Sequence, residues 1–503
     1  MWSRHNYGPN SQEASSLTVH FLIAHGYQSV TAGEMPPRRR DRRRPRDPSS
    51  PPSDARPPPS ALGIRLTLLA PVVFLVLVLA ALSFPGRLYR PPPHPQTLQT
   101  TAHSVYERGL VKRDVSAKEI LTEHTRVSEN RSQRHFPNPV LAYVTPWNSK
   151  GYDMAKLFSA KLTHVSPVWY DLKSDRNRLV LEGEHNFDAT WVSELQSNGS
   201  LVVPRVVLEA FPAVVLLEEK QKEKAIDLMV NECRDKGYDG IVLESWSRWA
   251  VYGVLDDSEL RYLALQFVKQ LGEALHSISS KSSTRHLELI YVIPAPRMQE
   301  LNNQDFGPED LQKLADSIDG FSLMTYDFSG PQNPGPSAPL KWVQHSLSSL
   351  LTAKASSHNS RMIFLGINFY GNDFLLSRGS GGGAITGRDF VHLLEKYKPS
   401  LQWDEKSLEH FFIYSDEGVK HAVFYPTLMS LSVRLDEAQK WGTGLSIWEI
   451  GQGYLFPTRL YILKASAISF CNDYERMKVV MKTSEDAVSK GKEKQELVYY
   501  VRS

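Results

Sequence analysis

The sequence predicts an α/β fold: a (β/α)8 TIM barrel with a long excursion between its seventh and eighth strands, preceded by a disordered basic leader and one transmembrane helix. Three observations carry this reading. Eight short β-rich runs alternate with helical stretches from Val140 onward. Runs such as Ile363-Phe364-Leu365-Gly366-Ile367 are apolar throughout, as expected of parallel strands covered on both faces. Far upstream, Leu66 to Phe84 is uncharged and almost wholly apolar, about the length of a bilayer-crossing helix.

The 503 residues leave room for one large domain with appendages. A hydrophobic fraction of 41% with 22% charged residues is that of a globular chain. The net charge of +3 provides no overall field for nucleic acid, so no nucleic-acid partner is expected. Two cysteines, Cys233 and Cys471, are too few for a disulfide framework; they form one bridge or remain separate thiols. The histidines are scattered and no His/Asp cluster has ligand spacing, so neither a metal site nor a cofactor is expected.

Residues 1–60 read as a disordered, basic and Pro-rich region, too poor in apolar surface to repay ordering. Within it, 1–34 has no sustained period, and Met35 opens the Arg-rich run Pro36–Arg46 in the manner of a protein start. Residues 65–86 are expected to form a transmembrane signal anchor, with membrane contact through 66–84. Many arginines precede this span and only Arg87 and Arg90 closely follow it. The excess of positive charge on the leading side predicts a single-pass type II membrane protein, its later residues lumenal or extracellular. Two sequons lie on that side, at Asn130 and Asn198. Residues 87–136 are polar and begin Pro91-Pro92-Pro93-His94-Pro95, which reads as a stem.

The globular domain is expected over 137–456. Its strand candidates are Val140–Thr145, Thr163–Trp169, Ser200–Leu208, Gly240–Glu244, Glu288–Ile293, Gly320–Thr325, Ile363–Asn368 and Gly444–Trp448. Amphipathic helices such as Ala225–Lys236, Glu259–Ser277 and Pro308–Ser317 lie between them. In a barrel of this kind function sits at the C-terminal ends of the strands. Those ends carry Trp147, Trp169, Glu209, Glu244, Trp246, Tyr326, Asp327, Tyr370, Trp448 and Glu449. A pyranose presents C–H faces to aromatic rings and hydroxyls to carboxylates, so such a mouth suits a sugar.

Tyr238-Asp239-Gly240-Ile241-Val242-Leu243-Glu244-Ser245-Trp246 resembles the fourth-strand motif D-G-x-D-x-D-x-E of glycoside hydrolase family 18, the chitinase family. Leu323-Met324-Thr325-Tyr326-Asp327 is similar to the family's sixth-strand M-x-Y-D, and Gly444-Leu445-Ser446-Ile447-Trp448 to its eighth strand. The resemblance implies that Tyr326 and Asp327 contact an N-acetyl sugar and that Trp448 forms the floor beneath it. It also implies a small α+β insertion between strands seven and eight, within 372–440, with Trp403-Asp404 and His421–Tyr425 as candidate strands. The ligand implied is a chito-oligosaccharide or another N-acetylated glycan.

The motif departs from the family at its working end: the second acid is Val242, the third is Glu244 and the catalytic Glu is Trp246. Hydrolysis in the family is substrate-assisted and needs no enzyme nucleophile, but it still needs a general acid. An indole cannot fill that role. Glu244 keeps a carboxylate and, by strand alternation, is expected on one face with 242 and 246. It lies roughly 6.6 Å back along the strand, while a general acid must come within about 3 Å of its target. Three readings follow. The first is a non-catalytic binder of N-acetylglucosamine oligosaccharides using Trp147, Glu209, Glu244, Trp246, Tyr326, Asp327, Tyr370 and Trp448. The second is a hydrolase with a relocated acid, Glu244 or Glu209. The third is a scaffold whose mouth binds a protein partner. Residues 457–503 form a C-terminal extension beyond the resemblance.

Overall fold

A computed structural model of the protein describes residues 99–453, apart from 133, 135, 176–177, 283–284, 298–300, 352–356 and 377–380. The expected leader, the apolar run 66–84 and the C-terminal extension 457–503 lie outside the described residues. Among the described residues, no helix is long and apolar enough to cross a membrane.

Eight parallel strands form the barrel: β1 Val140–Val144, β2 His164–Asp175, β3 Arg205–Leu208, β4 Gly240–Glu244, β5 Glu288–Pro294, β6 Gly320–Met324, β7 Ile363–Asn368 and β8 Gly444–Trp448. Each pairs in parallel with the next, and β8 pairs with β1 in the register Leu445↔Val140, which closes the sheet. Closure leaves these strands no free edge. Side chains alternate between the helix-facing layer and the lumen. Leu141, Tyr143, Val203, Val242, Ile290, Val292, Phe364 and Trp448 form the inner cluster. Ile241, Leu243, Leu289, Leu323, Leu365 and Ile447 pack outward under the helices.

Local chemistry sets the element boundaries. Helix Glu219–Lys236 stops at Gly237, whose φ of 73° lies in the left-handed region that terminates helices. Helix Ser258–His276 starts where the Asp257 carboxylate accepts the backbone N–H groups of Glu259 and Leu260. The expected strand Ser200–Leu208 is two pieces, Leu201–Val202 and Arg205–Leu208. Pro204 lies between them and has no N–H to give to a ladder.

Between β7 and β8 lies a five-stranded antiparallel sheet in the order Gly382–Ile385, Gly371–Leu375, Val419–Phe424, Glu409–Asp416, Gln402–Asp404. Helix Gly387–Tyr397 covers it, with Phe390 stacked on Tyr425 at 4.1 Å between centroids. This is the small α+β insertion, and its strands include Trp403-Asp404 and most of His421–Tyr425.

Residues 99–136, read from their polarity as part of a stem, are packed on the domain. Gln99–Thr101 pairs in parallel with Arg126–Ser128. Val105, Leu110, Val127 and Phe136 enter the main core, while Val115, Ala117 and Ile120 enter the core of the insertion. The apolar residues are sparse but buried, and Glu123 is shared by Arg108 and Arg126. The polar texture is therefore that of a segment covering a core from outside.

Candidate saccharide site

The part of the strand-four motif that this chain keeps is structural. Asp239 is buried at the base of β4 and accepts the Val202 N–H at 2.8 Å, the Gln196 side-chain amide at 2.9 Å and the Ser280 hydroxyl at 2.8 Å. Gly240 follows with φ 150°, and a Cβ there would stand 2.0 Å from the Glu288 carbonyl oxygen, so only glycine fits. Val242 and Glu244 point into the lumen. Val242 is purely apolar packing. Glu244 is buried and receives Nε of Arg205 at 2.7 Å and its Nη2 on the same oxygen. Burial works against the Arg205 charge, but Glu244, with Tyr143 and Tyr326, more than offsets it and the guanidinium pKa is raised.

Trp246 does not face the lumen. β4 ends at Glu244, and Trp246 opens helix Trp246–Val251, so strand alternation stops two residues before it. Its indole is completely buried, edge-on to Phe306 at 4.9 Å, with Nε1 donating to the Gln304 carbonyl at 2.8 Å. The Arg261 guanidinium covers the ring at 4.8 Å. The expected stacking contact is therefore corrected: Trp246 is a packing residue of the barrel wall.

Five expected residues do converge on the lumen. Trp448 caps the inner cluster, 5.1 Å from the Tyr143 ring and 5.1 Å beneath the Arg205 guanidinium. Below it the Tyr143 hydroxyl donates to Ser322 Oγ at 2.9 Å, and Ser322 is 2.7 Å from Ser446 Oγ. Tyr326 stands edge-on to Tyr370 at 6.3 Å, and Tyr370 donates its hydroxyl to Asp327. Gly366 makes room for the Tyr326 ring: a Cβ there would meet Tyr326 Cε1 at 3.0 Å and the Leu323 carbonyl oxygen at 2.4 Å. Burial first, then Tyr143, Asp327 and Glu244, holds the Tyr326 phenol well above its usual pKa, so it stays protonated.

Asp327 adopts φ 61°, a strained region for a non-glycine residue. Its backbone is fixed on both sides: its N–H donates to Ser337 Oγ at 3.2 Å, and its carbonyl accepts from Arg297 at 3.0 Å. Glu409 of the insertion in turn accepts the N–H groups of Ser337 and Ala338 and pairs with buried Arg434 at 2.9 Å. The insertion thus helps set the loop that presents Asp327.

The remaining expected residues occupy the rim. Trp147 is 62% exposed on the β1 loop. That loop is tethered by Asn148, whose Nδ2 donates to Glu449 at 2.7 Å; the other Glu449 oxygen accepts the Gly451 N–H at 2.9 Å. Glu209 is half-buried and pairs with Arg248. Phe211 and Tyr252, both largely exposed, meet edge-on at 5.6 Å. Arg205, Arg248 and Tyr252 were not singled out by sequence. The available signal for Arg205 was a lone cation inside an otherwise apolar strand.

Glu449 has a measurable consequence. Burial pushes its carboxyl up from 4.5 to about 7, against the pull of its N–H donors. A raised folded-state pKa contributes stability that is fully present below about pH 4.5 and lost as pH rises through about 7. Glu449→Gln should abolish that loss. Above pH 7 the variant should be more stable than wild type, by on the order of 2–3 kcal/mol in urea unfolding followed across pH.

The sequence reading found no metal-ligand cluster, but the structure brings His276, His286 and Asp319 together at the opposite end of the barrel. Cys233 is buried as a free thiol; Cys471 lies outside the described residues. Of the two sequons, Asn198 is exposed at the end of helix Ala189–Ser197 and Asn130 is half-buried.

Residues 140–453 match the family Glycosyl hydrolases family 18. The uncharacterized glycosylase YvbX of Bacillus subtilis (strain 168) is 24% identical over 233 residues, which are 44% of this chain and 64% of that protein. This chain therefore spans less than two thirds of that relative's length. The chitinase of Chromobacterium violaceum ATCC 12472 superposes with a TM-score of 0.52 at 20% identity, over 65% of this chain and 99% of that one. The GH18 chitinase of Cycas revoluta, crystallised with (GlcNAc)3, superposes with a TM-score of 0.54 at 15% identity, over 65% and 100%. At such identities the likeness is one of fold. The family match covers more than half of the chain and runs from the first barrel strand to just beyond the last, and this chain belongs to glycosyl hydrolase family 18.

Proposed function

We propose that the protein binds N-acetylglucosamine oligosaccharides of the chito-oligosaccharide class without cleaving them. One observation carries this reading: the position of the family's general acid is Trp246, sealed in the barrel wall, and the carboxylate that the strand keeps, Glu244, is held by Arg205. Both guanidinium contacts fall on one Glu244 oxygen, which ties this carboxylate to Arg205. Binding is supported by the cluster that remains. Trp448 offers an aromatic floor, Tyr326, Tyr370 and Asp327 offer polar contacts, and Trp147 stands exposed at the rim. The (GlcNAc)3 complex of the Cycas revoluta chitinase supports the choice of sugar.

The strand motifs liken the chain to chitinase domain-containing protein 1, a branch regarded as saccharide-binding, and the same assignment extends to this protein. We further assign the barrel to the lumenal or extracellular side of a membrane, anchored through 66–84; the Arg-rich leader and the two sequons support this topology. The test of binding is calorimetric. Asp327→Ala should weaken chitotetraose binding at least about tenfold, since it removes a charged hydrogen-bonding partner. Unaltered affinity would place the ligand elsewhere.

A further inference from the structure

We propose a zinc site at the floor of the barrel, formed by His276, His286 and Asp319. These residues come from three separate segments. His276 ends helix Ser258–His276, His286 is bridged to Ser279 in the turn that follows, and Asp319 immediately precedes β6. Both imidazoles aim Nε2 at one carboxylate: His276 lies 2.9 Å from Oδ2 and His286 lies 2.9 Å from Oδ1. The rings are 4.0 Å apart at 45°. All three ligand atoms lie within 4.8 Å of one another.

Asp319 is fixed before any ion arrives. Its Oδ2 accepts the Leu289 N–H at 2.7 Å, and its own N–H donates to the Leu289 carbonyl at 2.9 Å. A carboxylate held in this way keeps its orientation when a metal binds. An ion about 2.1 Å from tetrahedral ligands spaces them roughly 3.4 Å apart, which lies between the 2.9 Å of the two His–Asp contacts and the 4.8 Å that bounds the cluster. Two imidazoles and one carboxylate suit zinc or cobalt and disfavour magnesium and calcium, which take oxygen ligands. Water completes the fourth position, because His286 is partly exposed. The site joins the N-terminal ends of β5 and β6 to the preceding helix, at the face of the barrel where residues serve stability and not chemistry. Its role is accordingly a clamp, independent of the saccharide reading.

The test uses the full chain without a histidine tag, stripped by a chelator and titrated with zinc chloride. One equivalent should bind at micromolar concentration and raise Tm, and magnesium chloride should do neither. Cobalt substitution should give the intense visible absorption of a tetrahedral centre. His286→Ala, at an exposed position that need not disturb folding, should lose the zinc-dependent rise in Tm. Asp319→Asn, which keeps an acceptor for the Leu289 N–H, should weaken zinc binding about tenfold or more. The proposal is overturned if His286→Ala binds zinc as wild type does, or if wild type shows no saturable one-site binding at micromolar zinc.

Discussion

Replacing Arg205 with methionine should lower the free energy of unfolding by about 3–5 kcal/mol, because it strands a buried carboxylate without its counter-charge. Arg205 and Glu244 are each less than a tenth exposed, and both guanidinium contacts fall on a single Glu244 oxygen. The loss comes from removing the counter-charge of a buried carboxylate and not from missing attraction. Arg205→Met combined with Glu244→Leu should therefore recover most of it, since an apolar pair of similar volume is often neutral or better. Urea unfolding of the two single variants and the double variant gives the coupling directly. Additive losses would mean that the two side chains do not act as a pair.

Trp246→Ala should cost a similar amount, about 3–5 kcal/mol, as expected for emptying a fully buried tryptophan site. The informative partner is Trp246→Glu, which restores the family's acid at its sequence position. It should destabilise the fold at least as much and yield no turnover of a chromogenic chitobioside. The helix that begins at Trp246 directs this side chain against Phe306 and the Gln304 carbonyl. A glutamate there would be buried in the wall, away from the lumen. Turnover by the variant would show instead that position 246 can reach a sugar and that only the side chain is lacking.

The barrel was legible because its strands are buried on both faces and stand out as unbroken apolar runs. The strand-end residues Tyr326, Asp327, Tyr370 and Trp448 followed from the same logic and do meet around one lumen. Trp246 was misplaced because alternation was carried two residues beyond the end of its strand, into a helical turn. The role of Arg205 was not legible, since a single charge in a strand does not reveal its partner on the next strand. The packing of 99–136 was hidden by a polar composition whose few apolar residues are divided between two cores. The His276, His286 and Asp319 cluster has no sequence spacing to betray it, because a helix end, a turn and a strand start create it only on folding.

The most direct test of binding without cleavage places both readouts in one tube. The protein would be titrated calorimetrically with chitotetraose, and the sample then incubated and read by mass spectrometry. Saturable heat with intact tetrasaccharide, the heat lost in Trp448→Ala, is the predicted result. Shorter oligosaccharides accumulating with time, and abolished by Glu244→Gln or Glu209→Gln, would contradict it and establish a relocated acid. Absence of both heat and product would contradict the saccharide site itself.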